Sequence, residues 1–140
     1  MQEPEPKIKV TLRATISPSE DPAKVAEALE NVVGEGHERE VRMGQEVVLA
    51  SEDPRALAHI RNQLRDRNVR AAARRQMLLN TQGRSTFVML NRQAAAAGVV
   101  ALCGSPEESP LGPIFMRLES ERLDAAVDWL TAFPDSRLPP

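Results

Sequence analysis

The sequence predicts one α+β domain, a mostly antiparallel β-sheet with three or four helices packed on one face. Three observations carry this. "KIKVTLRATI", residues 7–16, alternates apolar and polar side chains with a period of two. The tetrapeptide SEDP occurs twice, each time followed by apolar residues at helical spacing. Finally, the strand-like runs "STFVML" and "IFMRLE" are separated by turn formers rather than by a long helical pattern.

Taken in order, Ile8, Val10, Leu12, Ala14 and Ile16 form the inner face of a first strand, with Lys7, Lys9, Thr11, Arg13 and Thr15 outside. Asp21 then suits a helix N-cap and Pro22 the first helical position, ahead of Val25, Ala28, Leu29 and Val32. "GEG", Gly34–Gly36, reads as a C-cap and loop, not as a dinucleotide fingerprint. "EREVRM" and "QEVVLA" read as a strand pair joined near Gly44. The second SEDP caps a helix whose core stripe is Leu57, Ile60 and Leu64. Asn68 is expected to separate it from a helix over "VRAAARRQMLL". "STFVML" is apolar on both faces, which predicts a central strand. After a polar turn "NRQ" comes a buried strand "VVALC", then the loop "GSPEESPLGP". The last strand is "IFMRLE", and Ser120 is the expected cap of the helix over "ERLDAAVDWL". The domain is placed at residues 7–133, with tails at 1–6 and 134–140. The recurring punctuation fits either an internal duplication or one capping solution used repeatedly, and little beyond the tetrapeptide matches.

At 140 residues, 41% apolar and 27% charged, the chain has an ordinary globular composition. Its single cysteine excludes an internal disulfide. The longest apolar run, "AAAAGVVALC", falls short of the ~20 residues of a membrane span. "MQEPEPK" lacks the features of a signal peptide, so a cytoplasmic protein is expected. The net charge of −2 is sorted along the chain. Residues 1–54 carry 6 basic and 12 acidic groups, and residues 93–140 carry 3 and 7. Between them, residues 55–92 hold 9 arginines and one acid, Asp66. Such sorting is what a local anion-binding surface requires.

Three runs carry a family resemblance: "SPSEDPAKV", "FVMLNRQAAAAGVV" and "SPLGPIFMRLES". Leu90, Asn91, Arg92, Gln93, Ala94, Ala95 and Gly98, followed by Pro110, Leu111, Gly112, Pro113 and Ile114, are the matching positions. In this the chain resembles an uncharacterised archaeal family of predicted RNA-binding proteins, over roughly residues 7–133. The resemblance implies a ribosomal-protein-like fold, similar to a large-subunit protein that contacts 5S ribosomal RNA. It also implies a role in archaeal RNA metabolism, linked by gene neighbourhood to the exosome. The insert "GSPEES" is longer and more acidic than the family's pattern.

Candidate RNA-binding residues follow. Arg61 and Arg65 flank the core stripe of one helix, while Arg70 and Arg74, again four apart, and Arg75 lie on the next. Arginine meets phosphate bidentately and stacks on bases, so the set suits a polyanion. The alternatives, which rank behind it, are a solvated face and an ion-paired interface. Asn91, Arg92 and Gln93 follow "STFVML", where they would bond a sugar or base, or else cap a turn. Lys7, Lys9 and Arg13 make a third basic surface, on the sheet. Phe87, Phe115, Phe133 and Trp129 read as scattered core residues, which argues for structured or double-stranded RNA over single strands. His37 and His59 lack partners at metal-ligand spacing, and Cys103 reads as a core thiol. The expectation is therefore a non-enzymatic RNA-binding protein with no cofactor or metal. The rival is a homodimeric protein–protein module docking its arginines on an acidic partner. An enzyme on phosphorylated small molecules ranks third, because it lacks a nucleophile, a base and a metal site.

Overall fold

In a computed structural model describing residues 7–34, 38–42, 46–64, 67–109 and 111–132, the alternating segment is strand β1, Lys9–Thr15. Val10, Leu12 and Ala14 are buried, whereas Lys9, Arg13 and Thr15 are exposed. Both SEDP aspartates act as caps. Asp21 accepts the Ala23 amide at 2.9 Å and Asp53 the Arg55 amide at 2.8 Å, opening α1 (Pro22–Val33) and α2 (Pro54–Gln63). Each cap satisfies an amide that no helical carbonyl reaches. α1 ends at Gly34, whose φ of 68° and 2.9 Å approach of a would-be Cβ to the His59 ring both demand glycine. β2 (Glu38–Arg42) and β3 (Glu46–Ser51) form the expected antiparallel pair. Next come α3 (Arg67–Leu79), β4 (Ser85–Leu90), α4 (Arg92–Ala96), a 3₁₀ turn at Pro106–Glu108, β5 (Ile114–Glu119) and α5 (Leu123–Leu130).

The strand order is β2-β3-β1-β5-β4, with every pairing antiparallel. Register places Leu12, Leu49, Met116 and Val88 in one row across four strands, all buried. The helices cover this face, through Leu29 of α1, Ile60 of α2, Met77 of α3 and Leu130 of α5. No described helix covers the opposite face of the sheet, where side chains are exposed or half-buried.

Several sequence expectations are corrected here. β4 is an edge strand, not a central one. Its free backbone edge is satisfied by other elements: Asn80 donates to Phe87 O at 3.0 Å, and Met89 N donates to the Gln76 side chain at 3.2 Å. The Cys103 amide reaches Met89 O at 2.9 Å and the Asn91 amide reaches Ala101 O at 2.8 Å. "VVALC" is thus no strand but a single bridge, Leu102 to Leu90, laid along this edge. The polar turn "NRQ" is instead the start of α4, a fifth helix that adds to α1, α2, α3 and α5. Asn68 lies within the first turn of α3. Ser120 accepts the Arg122 amide at 3.1 Å but precedes the N-terminus of α5, whose N-cap position is Arg122. The expected tail 1–6 and residues 133–140 lie outside the described residues.

Candidate nucleic-acid interface

The arginine segment does not converge on a single patch. On α2, the half-buried Arg61 places its guanidinium 4.9 Å from the centroid of Trp129 on α5. On α3, Arg74 donates to Asp128 Oδ1 at 2.7 Å and to Thr131 Oγ1 at 3.3 Å. Both arginines therefore fasten α5, although Arg74 remains 45% exposed and so still meets solvent. Arg70, the expected outward partner of Arg74, turns inward: it is 4% exposed and donates to Leu64 O at 3.4 Å. The sequence suggests an apolar side of Val69, Ala72, Ala73 and Met77; Ala73 and Met77 are indeed buried and Val69 packs against the core, and Arg70 joins them inside. Arg75 and Arg84 are exposed, with no ion-pair partner among the described residues. Arg65 lies outside the described residues.

A second cluster surrounds Arg92. Its side chain is 5% exposed and its Nη1 donates to both Glu20 carboxylate oxygens at 2.8 Å. Its amide donates to Ser109 Oγ at 3.1 Å, and Nη2 lies against Gly112. Burial pushes the Glu20 carboxyl up, but hydrogen bonds from the Ser17 amide and Arg92, with the charge of Arg92, outweigh it and leave its pKa lowered. Asn91 is the N-cap of α4, accepting the Ala94 amide at 2.9 Å, so its amide side chain is engaged locally. Gln93 is exposed. Glu20, Arg92, Ser109 and Gly112 belong to the three runs that carry the family resemblance, together with the "GSPEES" insert. Those runs, distant in sequence, meet here as an internal clasp, with a cavity of about 300 Å³ beside it between α1 and α4.

The helix-free sheet face holds a third cluster, fixed by register. Its rows read Lys9, Glu119, Ser85, then Thr11, Arg117, Phe87, then Arg13, Phe115, Met89. Phe87 and Phe115 lie on a diagonal with ring centroids 6.1 Å apart and planes at 57°. Both rings are half-buried, whereas Lys9, Arg13 and Arg117 are exposed; Arg117 pairs with Glu119 at 3.1 Å. The expected basic surface of Lys7, Lys9 and Arg13 is therefore present, and it is joined by aromatic rings that the sequence reading had assigned to the core. One signal was available: in "IFMRLE", Phe115 and Arg117 alternate with the inward residues Ile114, Met116 and Leu118.

The remaining candidates have structural roles. His59 Nε2 lies 3.1 Å from Asn31 O at the end of α1, where Gln63 also donates to Asn31 O and Val32 O. Cys103 is buried, and burial, with the charge of Glu108, raises its thiol pKa, which disfavours the nucleophilic thiolate. Among the described residues no group of His, Cys, Asp and Glu is placed to hold a metal ion. No described helix is long and apolar enough to cross a membrane.

Residues 9–118 match a family model described as RNA binding. The UPF0201 protein of Sulfurisphaera tokodaii is 34% identical over 125 residues, covering 88% of this chain and 86% of that one. That of Pyrobaculum neutrophilum is 35% identical over 126 residues, covering 88% of each. Among solved structures, the UPF0201 protein from Methanococcus jannaschii superposes with a TM-score of 0.72 at 21% identity, covering 88% of this chain and 92% of that one. A DUF54 protein from Archaeoglobus fulgidus gives 0.71 at 16% identity, over 90% and 99% of the two chains. These two likenesses establish a shared fold.

Proposed function

The chain belongs to the family whose model is described as RNA binding, and from that premise we propose a non-enzymatic RNA-binding protein that contacts phosphates of structured RNA. One observation supports the placement of those contacts: from Arg67 to Arg92 the chain contains no acidic residue, and Arg74 and Arg75 of α3 are both exposed to solvent. Arg61 on α2 and Arg84 beside β4 extend the same basic segment, and Arg65 belongs to the proposed set by sequence. Arg70 and Arg92 are withdrawn from it by burial, and Asn91 by its capping bond. Gln93, exposed beside Arg92, is a secondary contact. With about four phosphates engaged, affinity for duplex RNA falls about 10²-fold between 50 and 200 mM salt. A filter-binding titration checks this, and salt-independent binding overturns it.

A second reading has its own support. Leu78 and Leu79, 56% and 78% exposed, adjoin Arg75 on the outer side of α3, where a protein partner with an acidic rim would bury them. Charge reversal at Arg75 then alters the oligomeric mass by light scattering without affecting RNA.

A further inference from the structure

We propose that the helix-free face of the sheet, across β1, β5 and β4, is a platform for single-stranded RNA, on which two successive bases stack on Phe87 and Phe115. This rests on the RNA-binding reading and names a second form of RNA, at a different surface from the helical arginines.

Aromatic rings normally lie in the core, since each carries a large apolar area out of water. Phe87 and Phe115 instead stand on the face that no described helix covers. Antiparallel register locks them together, because Met89 opposes Phe115 while Phe87 opposes Arg117. Their centroids lie 6.1 Å apart with planes at 57°, so the two rings are neighbours with separate faces. Sheets that present such rings offer stacking without sequence readout, because every base has a π-face.

The charges select the occupant. Arg13 opposes Phe115 and Arg117 opposes Phe87, so each ring has a guanidinium one strand away, and Lys9 stands at the corner of the grid. Neighbouring strands lie roughly 4.8 Å apart, which suits a base on the ring and its phosphate on the adjacent cation. Glu119, paired to Arg117, is the one acid within this grid. A second copy of the chain is a poorer fit. A two-fold contact sets the patch against itself, bringing Lys9, Arg13 and Arg117 towards their own counterparts. A polyanion with planar bases meets both features at once.

The test uses fluorescence anisotropy of the full chain with labelled single-stranded U12, a 12-base-pair RNA duplex and an abasic 12-mer of the same backbone. Phe87→Leu with Phe115→Leu keeps apolar volume and removes the stacking faces. U12 affinity is expected to fall tenfold or more, with duplex affinity within twofold of the parent chain. Without any substitution, the abasic strand is expected to bind at least tenfold more weakly than U12. That comparison holds even if the double variant fails to fold. Equal binding of U12 and the abasic strand overturns the platform while leaving RNA binding intact. So does a change of oligomeric mass in Arg13→Glu with Arg117→Glu, which would identify the face as a contact between copies. A parent chain that binds neither U12 nor duplex overturns the RNA-binding reading itself.

Discussion

The helical arginines and the sheet-face arginines have the same chemistry and opposite circumstances. On α2 and α3, Arg61 and Arg74 reach across to Trp129 and Asp128 of α5, and Arg70 is buried among the helices. On β1 and β5, Arg13 and Arg117 stand exposed beside phenylalanine rings, and Arg117 pairs within its own strand, with Glu119. The helical segment has the greater density of charge, yet much of that charge holds the protein together. The lesson is that basic residues are divided between structure and surface by where their neighbours lie, which a count along the chain cannot reveal.

The sharpest way to break this comparison is at Arg92, the most deeply structural of the set. Removing one member of a buried ion pair strands the other, at a cost of about 3 kcal/mol. Arg92→Ala is therefore expected to lower Tm by about 10 °C, read by circular dichroism, while RNA affinity per folded molecule stays within twofold. A stable variant with lost RNA binding would place Arg92 in the interface instead.

The same clasp imposes a pH dependence. The pKa of Glu20 is lowered in the folded chain from its ordinary 4.5, so the bound form excludes protons relative to the unfolded form. Its stabilisation is complete above pH 4.5 and is lost as pH falls through the lower, folded value. Glu20→Gln is expected to flatten the acid limb of a pH–stability curve, and an unchanged limb refutes the assignment.

Next in size are the exposed helical arginines. Arg74→Ala with Arg75→Ala weakens duplex RNA about tenfold and reduces the log–log salt slope by about two. U12 binding is expected to change less, which separates the two surfaces. Smallest are the effects of these arginines on stability. Arg61→Ala forfeits a cation–π contact of about 0.5–1 kcal/mol. Arg74→Ala forfeits a solvent-screened pair worth about 0.5 kcal/mol. Urea titrations resolve both, and a loss above about 2 kcal/mol at either site would mark it as structural in the manner of Arg92.

Local features were legible in the sequence because their causes are local. Asp21 and Asp53 declare their helices by side chains that reach amides two residues ahead. The alternation of β1 likewise reports one wet face and one dry face. β4 differs from expectation because apolar side chains on both faces do not reveal what satisfies a strand's backbone edge: here it is Gln76, Asn80 and the 101–103 segment, not another strand. Arg70 was read outward because a charge on a helix is normally solvated. It lies inside, where it donates to the Leu64 carbonyl. The partner of Arg92 lies 72 residues away and the Phe87–Phe115 diagonal exists only once β4 and β5 pair. Neither has a signature within one window of sequence.

The position of β1 in the sheet has a consequence for the chain's birth. Among the described strands, the first in sequence, β1, has the last, β5, as a neighbour, with Lys9 opposite Glu119. During translation β2, β3 and β1 can assemble early, but one flank of β1 stays open until β5 emerges from the ribosome. Pairings so distant in sequence carry a high closure entropy and slow the final step. Until then, the nascent protein exposes the backbone row of β1 to whatever is near, and its safety depends on the speed with which its C-terminal third arrives.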